Sequence, residues 1–242
     1  MPTRRRYALA MQSAIDDGVG KIMARLREYG LEENTLVFYT SDNGAPLHHK
    51  RDTPVNTDMG GWDGSLNDPW IGEKGMLTEG GICVPFVVHW KSVLPAGRVY
   101  DQPVSSLDIA ATAVAVAGLS QDQKLDGVNI LPFLSGKQAG APHSALFWRF
   151  WNQAAVRSGQ WKYLQAGNAG EFLFNLSTDA NETRNLIGAH PEIVSHLKAE
   201  LSSWTRQLKP PGLPDHSLNV QEEPWYEQYL GLEPHRTVSP KE

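Results

Sequence analysis

Few residues in this sequence favour disulfides, nucleic acid or a membrane. Cys83 is the single cysteine, which excludes an intrachain disulfide and any cysteine-rich metal site. Basic residues are outnumbered, 22 Lys and Arg against 27 Asp and Glu, for a net charge of −5. There is no basic field for nucleic acid and no polybasic membrane patch. No apolar run approaches the roughly 20 residues of a membrane span. The opening Met1-Pro2-Thr3-Arg4-Arg5-Arg6 leads into an amphipathic pattern, not an apolar signal segment. What is present, 242 residues at 40% hydrophobic and 20% charged, is ordinary globular composition. It suffices for one large domain or a domain with an appendage.

Met11, Ile15, Val19, Ile22, Leu26 and Tyr29 recur at helical spacing, with Gly30 placed as a stop. Leu36 to Tyr39 and Val84 to Trp90 read as two buried strands. Between them, residues 44–72 form a long polar loop with Trp62 and Trp70, and loops of that length are usually functional or disordered. Ser105 and Asp108 read as a capping box opening the small-residue helix that ends at Gly118. This order of helix, strand, loop, strand and helix predicts an α/β fold.

The texture changes near residue 140. The segments ALFWRFW, AAVRSG, WKYLQAG and EFLFNLS are short strands separated by turn residues, an antiparallel meander. Ile193, Leu197, Leu201 and Trp204 mark one face of a final helix. The expected division is 1–140 as an α/β portion, 141–209 as a small α+β subdomain, and 210–242 as an irregular tail.

Two short stretches carry candidate chemistry. Asp42-Asn43-Gly44 follows the first strand, where ligands sit in open α/β sheets. A carboxylate and an amide oxygen side by side suit calcium, although Asp-Asn-Gly is also a common turn. Gly72-Glu73-Lys74-Gly75 precedes Glu79-Gly80-Gly81. A lysine flanked by glycines can present a compact charge to an oxyanion, and otherwise reads as a solvated loop lysine.

Taken together, AMQSAIDDGVGKIMARLREYGLEENTLVFYTSDNG, GEKGMLTEGG, VSSLDIAATAVAVAGL, LDGVNILPFLSG, AVRSGQWKYL and FLFNLSTDANETRNL resemble, in order, the sulfatase family of the alkaline-phosphatase superfamily. The resemblance implies the C-terminal half of an alkaline-phosphatase-like sheet-and-helix domain, followed by a small subdomain with an antiparallel sheet. It implies calcium as cofactor with Asp42 and Asn43 as ligands, and Lys74 against the sulfate group. It also implies a sulfate-ester substrate and a periplasmic or secreted setting. Apart from the resemblance, His48 and His49 follow that pair in the loop and read either as substrate contacts or as solvated histidines. Trp62 and Trp70 read either as stacking on a sugar ring of a sulfated polysaccharide or as packing that pins the loop.

The family's nucleophile is a formylglycine made within a Cys/Ser-x-Pro-x-Arg motif. No such motif occurs in these 242 residues; Cys83-Val84-Pro85-Phe86-Val87 ends in valine where arginine would stand. The resemblance is therefore to a C-terminal portion that lacks the nucleophile region and is expected to be inactive alone. The rival readings are a non-catalytic remnant or binding module, and a phosphodiesterase of the same superfamily, which Asn43 disfavours. Asp42, Asn43 and Lys74 are expected to converge on one sulfate, with Glu79 turned back into its own loop.

Overall fold

The computed structural model describes residues 1–47, 64–120, 124–210 and 222–231. Contacts divide the chain into two units. One comprises residues 6–42 and 85–146 together with Met1; the other comprises 2–5, 43–84 and 147–242. The expected cut near residue 140 is thus only part of the division. Residues 43–84 belong with the C-terminal sheet because Met76 and Leu77 are members of its core.

The first unit carries most of helix α1 (Thr3–Glu28), strands β1 (Val37–Thr40) and β2 (Phe86–His89), and helices α3 (Asp108–Val116) and α4 (Leu131–Leu134). At the end of α1, the Leu31 N–H bonds back to the Leu26 carbonyl at 2.8 Å. The two strands pair antiparallel with each other, Tyr39 opposite Val87. They are not the buried strands that their composition predicts: Tyr39 is 45% exposed and Val87 54%. Met11, Ile15 and Ile22 on α1 are exposed as well, and Ala8 is its one buried residue among those described.

Where this unit is buried, Asp108 organises it. Its carboxylate accepts from the Ser105 N–H at 2.8 Å, half of the expected capping box, and from the Val128 N–H at 2.8 Å. His143 Nε2 lies 2.9 Å away. Thr112 Oγ1 accepts from the Ile130 N–H at 3.1 Å, so α3 seats the segment leading into α4 beside the buried Ile130 and Phe133.

The second unit is built on the meander of β3 (Ala145–Phe150, from Phe147 on), β4 (Gln153–Ser158), β5 (Trp161–Ala166) and β6 (Glu171–Asn175), in that spatial order. Both faces of this sheet are covered. On one face Ala155, Leu164, Ala166, Phe172 and Phe174 form a core with Met76, Leu77 and Tyr226. On the other, helix α5 (Pro191–Thr205) packs on β4 and β5, and the Lys198 ammonium stands 5.7 Å from the centre of the Tyr163 ring. Val194, rather than Ile193, joins Leu197 and Leu201 as the buried stripe of α5.

The tail is not irregular throughout. Residues Glu222–Leu230 form helix α6, and Tyr226 is fully buried. Its hydroxyl accepts from the Leu77 N–H at 2.8 Å and donates to Gln153 Oε1. The prolines that read as a draped tail lie partly outside the described residues; the helix itself is fixed by these tyrosine bonds.

Candidate functional site

Asp42 and Asn43 follow the end of β1, as expected. Within the first unit, the Ser41 N–H reaches the Pro85 carbonyl at 3.4 Å, which carries the pairing of β1 and β2 to the threshold of the pair. Asp42 is exposed and Asn43 half-buried. The Asn43 Nδ2 donates to the Gly44 carbonyl at 2.8 Å, so its oxygen is the end of the amide that suits a cation.

Asn43 and Lys74 belong to one knot of backbone in the second unit. The Gly44 N–H donates to the Gly81 carbonyl at 2.9 Å, and the Lys74 N–H to the Ala45 carbonyl at 3.3 Å. Asn67 staples the same segments from its side chain. Its Oδ1 accepts from the Ala45 N–H at 2.8 Å, and its Nδ2 donates to the carbonyls of Ala45 at 2.9 Å and Gly72 at 3.0 Å. Glu73, fully buried, accepts from the Leu47 N–H at 2.7 Å and from the Tyr229 hydroxyl at 3.2 Å. Lys74 is the exposed residue of this loop.

Glycine is required where these backbones touch. A Cβ on Gly44 would stand 1.8 Å from the Gly80 oxygen, and one on Gly81 would stand 2.1 Å from that of Met76. Neither gap admits a methyl group, so Gly80-Gly81 is the surface on which both candidate loops rest.

Glu79 opens the single helical turn α2 (Glu79–Ile82) and is buried. Its carboxylate turns back to the Cys83 thiol of its own turn, as expected in part, but its charged partners come from β4, β5 and the segment after β6. Lys162, on the core face of β5 with no exposed surface, donates to Glu79 Oε1 at 2.8 Å and lies 2.7 Å from Glu182 Oε1. Glu182 Oε2 accepts from the Glu79 N–H at 2.6 Å, and Arg157 stands 3.8 Å from the Glu79 carboxylate.

Burial would push the Glu79 carboxyl up, but the charges of Lys162 and Arg157 outweigh it and hold it below the ordinary carboxylate range. The Glu182 carboxyl is pushed up, first by burial and then by the charge on Glu79, against the pull of Lys162. Burial opposes the charge on Lys162 as well, yet its two carboxylates keep its pKa raised. The outcome is one ammonium shared by two unequal acids. Sequence reasoning missed Asn67, Lys162, Glu182 and Tyr226. A lysine inside the apolar WKYL segment was the one available signal.

Of the other candidates, Trp70 is half-buried, with its backbone N–H on the Asn67 carbonyl at 2.9 Å. His48, His49 and Trp62 lie outside the described residues. Among the described residues no group of three or more His, Cys, Asp or Glu is placed to hold a metal ion. Asp42 and Asn43 supply two oxygens of the hard type calcium accepts, out of the roughly six to eight it takes. By donor type each suits calcium, and two oxygens do not complete its shell.

Sequence comparison identifies the class to which these loops belong. The sulfatase family model matches residues 3–119, and the model for the C-terminal region of N-sulphoglucosamine sulphohydrolase matches residues 70–207. The chain belongs to the sulfatase family. It is 35% identical to N-acetylgalactosamine-6-sulfatase of Mus musculus over 81% of its length, covering 35% of that protein. It is 31% identical to steryl-sulfatase of Mus musculus over 90% of its length, covering 40%. The crystal structure of Ps i-CgsB in complex with k-i-k-neocarrahexaose superposes on 94% of the chain with a TM-score of 0.76 at 28% identity, covering 48% of that chain. The chain therefore spans less than half the length of these relatives, with the alkaline-phosphatase-like fold they share.

Proposed function

We propose that this chain supplies the part of a sulfuric ester hydrolase that holds the sulfate group. The observation that carries the reading is the knot joining Asn43 to Lys74 through Gly44, Ala45 and Gly81. It ties the segment of an amide oxygen to that of an exposed ammonium, which is what binding one oxyanion beside a hard cation requires. Asp42 and Asn43 are two calcium ligands in this reading. Calcium, when bound, supplies Lewis-acid polarisation of sulfate oxygens. Lys74 presents its compact charge to the same group. Glu79, neutralised by Lys162 on the sheet side, leaves the anion unopposed by a free carboxylate.

The substrate class proposed is a sulfated carbohydrate. Two relatives favour it by name, the N-acetylgalactosamine-6-sulfatase and the protein in complex with neocarrahexaose. An exported setting, periplasmic or secreted, belongs to the same proposal. The 242 residues carry no Cys/Ser-x-Pro-x-Arg motif. Without a nucleophile the charges bind an oxyanion but form no covalent intermediate, so the chain alone is expected to have no turnover.

Incubating the purified chain with an aryl sulfate and calcium tests this. The expected result is no hydrolysis, with inorganic sulfate binding that weakens in Lys74→Ala and a calcium response that is lost in Asp42→Ala. Hydrolysis abolished by Asp42→Ala would overturn the inactive reading. Sulfate binding indifferent to Lys74→Ala would overturn the assignment of Lys74.

A further inference from the structure

We propose that Lys162 is a positioning residue for Lys74, acting through the Glu79-Gly80-Gly81 turn. The proposal rests on the reading of Lys74 as the sulfate contact. Four links make the connection. Lys162 holds the Glu79 carboxylate at 2.8 Å and the Glu182 carboxylate at 2.7 Å. Glu182 holds the Glu79 N–H at 2.6 Å, so side chain and backbone of Glu79 are fixed together. The Gly80 N–H then bonds to the Ile71 carbonyl at 2.8 Å, at the start of the Lys74 loop. Gly81 bonds to Gly44, whose neighbour Ala45 receives the Lys74 N–H.

A buried ion cluster is a poor device for stability alone, since apolar side chains of similar volume often serve as well or better. What it supplies is direction. The Met76 and Leu77 side chains hold the loop to the core by contacts without direction, and the Leu77 N–H adds one bond to Tyr226, whereas three charged groups meeting within hydrogen-bond distance fix one register. Glu182 shows the same constraint in its backbone. It holds φ at 57°, an uncommon conformation for a residue with a side chain, and in it the carboxylate reaches both Lys162 and the Glu79 N–H. Asn67 adds a bond within the loop, and Gln153 adds one from β4 to the Gly75 carbonyl; charge reaches the turn from the sheet through Lys162 at 2.8 Å and Arg157 at 3.8 Å, and Lys162 holds Glu182 as well.

The test uses the full chain with lysines labelled at 13Cε, the Lys74 signal assigned through Lys74→Arg, and inorganic sulfate as the probe. Lys162→Met is expected to weaken the sulfate response at Lys74 at least tenfold. It should also speed amide exchange of residues 79–81 at least tenfold more than it speeds exchange in α5, which reads the loss of global stability. Lys162→Arg, which keeps the cation, should recover most of both. If Lys162→Met folds and leaves the exchange of 79–81 and the Lys74 response unchanged, the proposal is overturned. Should Lys162→Met fail to fold, Glu79→Gln replaces it, with the same faster exchange expected and unchanged exchange equally fatal. A parent chain whose Lys74 signal never responds to sulfate overturns the sulfatase reading of Lys74, and the exchange measurement still decides whether Lys162 positions the turn.

Discussion

The Lys162 ammonium has no exposed surface and lies 2.8 Å from the Glu79 carboxylate, with the two residues on different elements of the second unit. Removing one partner of such a pair strands the other in a low-dielectric interior, which typically costs about 3–5 kcal/mol. Lys162→Met is expected to destabilise by that order. Adding Glu79→Gln and Glu182→Gln to it removes the stranded charges and should recover part of the loss. Urea denaturation of the single and triple variants measures this. A triple variant less stable than Lys162→Met would sink the electrostatic account.

The two acids of this cluster predict opposite pH dependences. Glu79 has a depressed pKa in the folded chain, so its stabilisation is present above the unfolded carboxylate value, about 4.3, and is lost as pH falls through its folded pKa. Glu182 has a raised one, so its contribution is complete below that value and is lost as pH rises through its folded pKa. Lys162, Arg157 and Cys83 are the other charged or titratable groups coupled to them. Glu182→Gln should therefore gain stability relative to the parent as pH rises above about 4.3. Melting temperatures followed from pH 4 to pH 8 read the difference directly, and a constant offset would refute the assignment.

Asn67 is expected to matter more than a half-buried loop residue ordinarily does. Its side chain satisfies one N–H and two carbonyls that hold the Asn43 and Lys74 segments together. Asn67→Ala leaves these groups short of partners, at about 1–3 kcal/mol. Asn67→Asp should be worse, because a carboxylate cannot donate and would face two carbonyl oxygens. Thermal unfolding orders the three proteins. Parity between the Asn67→Asp variant and the parent would mean that the staple is idle, so that is the variant to make first.

Much of the second unit was legible because its signals are local. Turn residues between short apolar runs give the meander, and helical spacing gives α5. Lys162 was not legible as a structural residue, because alternation along a strand identifies one buried face and this sheet has two. Lys162, Tyr163 and Leu164 are all buried in succession, with the core of Met76, Leu77 and Tyr226 over one side and α5 over the other. Helix α6 failed to show for a related reason. Its place is fixed by Tyr226 bonding to Leu77 and Gln153, residues distant in sequence. The strands β1 and β2 have buried composition but exposed positions at Tyr39 and Val87. Composition records what a strand is built to pack against, and exposure records what packs against it in these residues.

The role given to α6 is open to a direct trial. Tyr226→Phe keeps the ring in the core and deletes the hydroxyl, leaving the buried Leu77 N–H and Gln153 without that partner. The cost of an unsatisfied buried donor is about 1–3 kcal/mol. Proteolysis near residues 222–231 should become faster while the meander stays resistant. Unchanged stability would show that α6 does not hold the loop at Leu77.

Cys83 offers a reporter of the Glu79 cluster that needs no activity. The residue is exposed at the surface, but burial at its sulfur and then the Glu79 charge push its pKa up to about 11. Against an ordinary thiol near 8.5, the thiolate fraction at pH 8 falls by about two orders of magnitude. A more basic thiolate is also the better nucleophile, with a Brønsted slope of about 0.4–0.5, which returns roughly one order. Alkylation by iodoacetamide at pH 8 should therefore run about tenfold slower than for an unperturbed exposed thiol. Glu79→Gln removes the neighbouring negative charge and should bring the rate up, with a pH–rate midpoint below that of the parent. Lys162→Met should shift the midpoint the other way, because it takes away a cation that favours the thiolate. Mass spectrometry of the alkylated peptide gives both midpoints, and identical values in the two variants would show that Cys83 does not sense the cluster.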